Sequence, residues 1–205
     1  MKGKAYANRK IEKERPESDF YETPKSLTWE LMKLNLFDYN KKIGDLCCGK
    51  GAISNVLKEK FERLVCSDIN IYKKDNGITS YGLDFLTEYE NKSFDFLVMN
   101  PPFSMFDEFV LKAKEITREK FAFIGKTNFF GAYNRAKRGI WKNLSHVYIF
   151  NRQVDYRSPV RDDGLFHVGN LVTGWFLWDM KWNENYWKTS IIDVQKYAKL
   201  GQFKG

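Results

Sequence analysis

Short apolar runs that end on polar or turn-forming residues recur along this chain, with helix-like spacings between them. The clearest run is Phe96-Leu97-Val98-Met99, followed at once by Asn100-Pro101-Pro102-Phe103. A run this short and this rich in β-formers suits a strand buried on both faces. Neither proline can donate to a sheet ladder, so the strand must stop at Asn100. A residue before proline is pushed out of the helical region, which holds Asn100 and Pro101 extended. The Asn100 side chain and the Pro101 carbonyl then point in preset directions. Two preset acceptors beside a ring describe a clamp for a flat molecule that carries an amino group.

The other runs share the same plan. Lys42–Cys47 reads as a strand leading into the turn Cys48-Gly49-Lys50-Gly51, and Ala52–Lys60 as a helix with Ile53, Val56, Leu57 and Phe61 inward. Leu64–Asp68 reads as a second strand and Ile78–Asp84 as a weaker third. Asp107–Lys120 reads as a helix with Phe109, Val110, Ala113 and Ile116 inward, and Phe121–Gly125 as a fifth strand. Upstream, Leu27, Leu31 and Leu34 have helical spacing within Lys25–Leu34, with Thr23 placed to cap the helix and Pro24 to open it. His146–Phe150 and Asn170–Trp178 read as strands with no helix between them, which predicts a closing antiparallel hairpin packed by Trp175, Trp178, Trp182 and Trp187. Alternating strands and helices predict an α/β fold with a mainly parallel sheet. Residues 1–18 carry many Lys, Arg and Glu without apolar periodicity, so a flexible arm is expected there and a single domain over residues 19–205.

Composition narrows the partners. A net charge of +8 favours an anionic partner, most simply nucleic acid. The first twenty residues lack the apolar core of a signal peptide, and no stretch approaches a membrane span. Cys47, Cys48 and Cys66 do not form a disulfide framework, so a soluble, cytoplasmic protein without membrane contact is expected. The cysteines also lack zinc-site spacing, and neither His146 nor His167 is near them in sequence, so no metal is expected.

In an open α/β sheet, ligands bind beyond the carboxyl ends of the strands. The residues just past each predicted strand are therefore informative. Gly49 and Gly51 let a ligand approach the backbone. Asp68 stands where a carboxylate can take two ribose hydroxyls. Asp84 is placed to accept from an adenine amino group, with Phe85 near the ring; for both Asp68 and Asp84 the alternative is a helix cap or turn residue. Asp45 either contacts the ligand or braces the loop. These ends together describe a nucleoside-shaped cofactor site beside the amino-group clamp.

Three stretches carry a family resemblance: Phe20-Tyr21-Glu22-Thr23-Pro24, Asp45-Leu46-Cys47-Cys48-Gly49-Lys50-Gly51 and Asn100-Pro101-Pro102-Phe103. In this order they resemble the S-adenosylmethionine-dependent amino methyltransferases that act on N6 of adenine or N4 of cytosine in DNA, over residues 19–178. The resemblance implies a Rossmann-like class I methyltransferase fold, S-adenosylmethionine as cofactor and DNA as partner. It implies that Phe20, Tyr21, Thr23 and Pro24 close over the methionine part. Asp45, Cys47, Gly49, Gly51, Asp68, Ile69, Asp84, Phe85 and Asn100 would complete the cofactor site. Asn100, Pro101, Pro102 and Phe103 would be catalytic, with Phe103 stacked on an extruded base. N6 of adenine is preferred because Asn rather than Ser precedes the prolines. No cysteine follows them, which excludes methylation at C5 of cytosine.

Contacts to nucleic acid are expected from Lys126, Asn128, Arg152 and Tyr156, the last in a segment that resembles the family's second ring against the base. Lys126, Arg135, Lys137, Arg138 and Lys142 either bind phosphates or form a solvated helix face. The chain has no room for a large target-recognition domain. Residues Arg157–Gly169, with Arg161, Asp162 and Asp163, form a candidate recognition loop; relaxed specificity, a homodimer or a partner subunit are the other sources. The alternatives to DNA are RNA N6-adenine methylation, protein-glutamine methylation and a non-catalytic nucleic-acid-binding subunit.

Overall fold

The strand that ends at Asn100 lies at the centre of a wide sheet. In the computed structural model, residues 23–71, 80–156 and 169–194 are described. The expected arm at 1–18, Phe20, Tyr21, His167 and nearly all of the expected recognition loop lie outside the described residues. The strands are β1 (Ile43–Asp45), β2 (Leu64–Asp68), β3 (Ser80–Tyr81), β4 (Phe94–Met99), β5 (Thr117–Lys126), β6 (Leu144–Phe150), β7 (Thr173–Asp179) and β8 (Lys188–Ile192). They lie in the order β3-β2-β1-β4-β5-β7-β6-β8. The strands β1 to β5 are parallel; β7 runs antiparallel to both of its neighbours, β5 and β6. The helices are α1 (Lys25–Lys33), α2 (Ala52–Leu57), α3 (Phe106–Ile116) and α4 (Tyr133–Lys137). The expected mainly parallel α/β sheet with an antiparallel closing pair is the observed fold.

Burial explains the apolar runs. In β4, Phe94 and every residue from Phe96 to Met99 are buried, as a strand covered on both faces requires. Gly44 in β1 lets this strand come close: a Cβ there would stand 2.9 Å from Leu97 and 3.0 Å from Phe94. Around β5 and β7, Phe121, Phe123, Trp175, Phe176 and Trp178 have no exposure, and Phe121 stacks on Trp178 at 4.8 Å. Each such ring contributes roughly 2–3 kcal/mol by burial, so Trp175 and Trp178, of the four expected hairpin tryptophans, hold the sheet, whereas Trp182 and Trp187 are half-buried outside the strands.

Several boundaries differ from expectation. The helix expected to reach Lys120 ends at Ile116, and Thr117 is already extended (φ −99°, ψ 136°). Arg118, Glu119 and Lys120 read as a polar helical turn, but backbone pairing with β4 and β7 draws them into β5. Arg118 pairs with Asp95 at 3.2 Å, Glu119 with Lys41, and the Lys120 ammonium donates to the Leu36 carbonyl at 3.1 Å. Helix α2 stops at Leu57, after which Glu59 and Lys60 make three-residue turns to Val56 and Leu57. Strand β8 was not legible: most of its residues are exposed, and its pairing with β6 supplies the order that its sequence lacks. Thr23 makes no cap; the N-cap of α1 is Pro24, whose carbonyl accepts from Leu27 N–H at 3.0 Å. At the other end of α1, Asn35 takes a left-handed conformation (φ 49°) that stops the helix.

Gly174 in β7 tests the fit of the late strands. A Cβ there would lie 2.4 Å from the Tyr148 carbonyl oxygen, a backbone atom that cannot turn aside. Gly174→Ala is expected to cost about 2–3 kcal/mol in a urea titration. Gly131→Ala, where an added Cβ meets nothing within 4 Å, should leave the midpoint unchanged.

Candidate active site

β1 pairs with β2 on one side and β4 on the other, so the carboxyl ends of β1 and β4 flank a topological switch point. The chain leaves β1 through a loop in which Gly49 (φ 55°) and Gly51 (φ 86°) both take left-handed conformations, which side chains with a Cβ resist. Gly51 N–H donates to the Cys48 carbonyl at 2.8 Å and closes the turn. Two buried carboxylates hold this loop. Asp68, at the end of β2, accepts from Gly49 N–H at 2.8 Å and from Asn70 N–H at 2.9 Å. Asp45, at the end of β1, accepts from the Ser54 hydroxyl at 2.6 Å, which ties α2 back to the strand. Its second oxygen, Oδ1, is buried and has no partner among the described residues. Burial, helped by the charge on Asp68 and opposed by the Ser54 hydrogen bond, pushes the Asp45 carboxyl up to about 7.

The catalytic candidate lies across the switch point. The Asn100 amide donates through Nδ2 to the Thr23 hydroxyl at 3.1 Å. Asn100 Oδ1 is buried and has no partner among the described residues. A buried acceptor left unpaired costs about 1–3 kcal/mol, so this one is poised for a donor. The Cys47 thiol donates to the Asn100 carbonyl at 3.5 Å, joining the two strand ends. After Pro102 (φ −55°, ψ 124°) a 3-10 turn, Phe103–Met105, leads into α3.

The Phe103 ring meets Phe129 edge-on at 6.0 Å and Tyr156 edge-on at 6.2 Å. The Lys126 ammonium stands 4.6 Å over its face. Tyr156 is buried, shares a hydrogen bond with the Thr173 hydroxyl at 2.8 Å, and has its phenol pushed upward by burial. The fold thus joins Thr23, Asn100, Phe103, Lys126 and Tyr156, from far-apart places in the sequence. Phe129 belongs with them. Its place in Asn128-Phe129-Phe130, between cations, was the visible signal. Thr23 had no such signal for its bond to Asn100, since as a residue before a helix it read as a cap.

Other candidates sit less centrally. Asp84 Oδ1 accepts from Leu86 N–H at 3.0 Å and so stabilises a turn. Phe85 is buried and stacks on Phe109 at 4.6 Å, so its ring supports that turn from within the core rather than standing open to a nucleoside. Ile69 is half-buried just after Asp68, Arg152 is half-buried beyond β6, and Asn128 is exposed. Burial raises all three thiols, Cys66 to about 12, which keeps them protonated near neutrality and suits small packing residues. His146 stacks on Tyr148 at 4.1 Å and pairs with Ser190, a structural setting on the sheet. The basic cluster splits. Arg135 and Arg138 bind Asp107 at 2.5 and 2.9 Å, whereas the Lys142 carbonyl takes the Lys114 ammonium near the far end of α3.

The residues present fit a nucleoside cofactor whose hydroxyls donate to carboxylates. A glycine loop with two left-handed residues lies beside two buried carboxylates, and Asp45 Oδ1 is an unclaimed acceptor among the described residues. No protein-family model matches the sequence, and no curated protein matches it. Solved structures do. The chain is 13% identical to a crystal structure of the modification subunit assigned to a type I restriction enzyme of Vibrio vulnificus, with a TM-score of 0.59 over 87% of this chain and 48% of that one. It is 18% identical to a structure from Pyrococcus horikoshii assigned as an RNA methyltransferase, with a TM-score of 0.58 over 81% of this chain and 88% of that one. It is 13% identical to a predicted O-methyltransferase of Agrobacterium tumefaciens, with a TM-score of 0.53 over 83% and 86%. The fold is therefore that of the Rossmann-like class I methyltransferases.

The raised Asp45 carboxyl has a sign that can be checked. Its folded value, about 7, lies above its ordinary 3.8. Its contribution to stability is fully present below about pH 4 and is lost as pH rises through about 7. In thermal melts between about pH 4 and pH 8, the wild type should lose stability relative to Asp45→Asn as pH rises. Parallel curves would show that Asp45 titrates normally.

Proposed function

We propose that this chain transfers a methyl group from S-adenosylmethionine to the exocyclic amine of a base extruded from DNA, with N6 of adenine as the preferred target. The observation that carries this reading is the Asn100 amide, whose Oδ1 is buried and unpartnered among the described residues while its Nδ2 is held by Thr23. Such an acceptor suits an N–H donor. When bound, the cofactor supplies an electrophilic methyl on a sulfonium. An exocyclic amine is a poor nucleophile because its lone pair is delocalised into the ring. Hydrogen bonds from its N–H groups to Asn100 Oδ1 and the Pro101 carbonyl favour a more tetrahedral nitrogen and direct the lone pair outward. Positioning and electrostatics then do most of the work, and no strong base is required before attack.

The prolines hold both acceptors on stiff backbone, and the cluster of Phe103, Phe129 and Tyr156 forms an apolar wall beside them. Asp68, the glycine loop and Asp45 would hold the cofactor, with Asp84 at the next strand end. The net charge of +8 and the likeness to a restriction modification subunit support DNA as substrate. The likeness to a protein assigned as an RNA methyltransferase makes RNA the second reading.

Incubation with methyl-labelled cofactor and mixed-sequence DNA should label the DNA, and hydrolysis should yield N6-methyladenine; label in RNA or protein alone would overturn the proposal. Asn100→Ala should bind the cofactor normally in calorimetry yet lose at least about a hundredfold in turnover. Thr23→Val removes the acceptor that holds Nδ2. It should lower kcat on the order of tenfold with little change in KM, whereas Thr23→Ser restores it.

A further inference from the structure

We infer that the segment from Lys126 to Arg138 is the surface along which the DNA strand flanking the extruded base lies, an inference that rests on the methyltransferase reading above. The segment holds four cations, Lys126, Arg135, Lys137 and Arg138, and no carboxylate. Its place comes from the sheet. Strand β5 is parallel to β4 with Phe123 opposite Met99, so the chain leaves β5 at Lys126 on the edge where Asn100 stands.

Contacts join the segment to the catalytic loop. The Lys126 ammonium lies over Phe103 at 4.6 Å and over Phe129 at 5.9 Å. The Arg135 guanidinium lies over Phe129 at 4.2 Å and donates to its carbonyl at 3.4 Å. Packing is therefore continuous from the buried Phe103, through the buried Phe129, to Arg135 of α4.

Helix α4 itself buries none of its residues. It is held instead by Asp107, in the first turn of α3, which takes both Arg135 and Arg138. One carboxylate against two guanidiniums leaves the helix positive. Lys137 and Arg138 are exposed, and Tyr133 is 80% exposed, an expensive place for a large ring. A merely solvated helix face mixes both signs of charge and keeps large rings inward. Cations around an exposed ring suit a nucleic-acid strand, with the cations on phosphates and the ring against a neighbouring base. Lys142 is excluded, since its carbonyl binds Lys114 towards the opposite edge of the sheet.

The test uses the full chain and the double variant Tyr133→Ala with Lys137→Glu, neither of which serves the catalytic or cofactor residues. Fluorescence anisotropy with a labelled mixed-sequence DNA duplex, and with RNA of the same sequence, is read at several salt concentrations. The variant should bind DNA on the order of tenfold more weakly, with a salt slope shallower by about one to two, while calorimetric cofactor affinity is unchanged. Unchanged affinity and slope would overturn the inference while leaving the methyltransferase reading intact. Wild-type preference for RNA, with the same loss in the variant, would overturn the assignment to DNA. Failure of the wild type to methylate any nucleic acid would overturn both readings.

Discussion

Two consecutive prolines at the end of a central strand are the constraint on which the candidate site depends. Pro101 and Pro102 cannot extend the ladder, so β4 ends at Met99 while its neighbour β5 runs on to Lys126. Asn100 therefore leaves the ladder while β5 continues beside it. Because β4 is buried on both faces and paired on both edges, the position of Asn100 is set by a strand that packing fixes on every side. The amide then needs only one further contact, from Thr23, to leave the buried Oδ1 as an acceptor without a partner among the described residues.

Buried charge plays a second part. Asp45 and Asp68 are removed from water, which is costly for a carboxylate unless hydrogen bonds replace the lost solvation. Asp68 recovers its solvation from the Gly49 and Asn70 amides, which ties the carboxylate to the shape of the glycine loop. Asp45 recovers less, from Ser54, and its carboxyl is raised accordingly. The expected ribose-binding role of Asp68 and its observed bracing role are compatible, because each carboxylate oxygen can accept more than one hydrogen bond.

The late strands reach the site through packing. The Trp175 indole in β7 donates to the Leu27 carbonyl of α1 at 2.7 Å, and α1 begins one residue after Pro24. The Tyr156 hydroxyl joins Thr173 at the start of β7, and its ring meets Phe103. The antiparallel strand inserted beside β5 therefore supports both the residue that holds Asn100 and the wall beside it.

Sequence alone determined the alternation of strands and helices, the stop at Asn100, the glycine loop and the carboxylates at strand ends. Those features rest on local chemistry: proline without a donor, glycine at positive φ, and apolar periods of two or of three to four residues. Tertiary structure decided the rest. Arg118 to Lys120 became strand because β4 and β7 offer their backbones on either side. Strand β8 exists because β6 offers an edge, and Thr23 left its expected cap for an amide 77 residues away. Phe85 turned to Phe109 because burial of a ring against another outweighs what its neighbours in sequence suggest. Hydrogen bonds and ring contacts between distant residues depend on where the sheet brings the chain, and no local pattern records that.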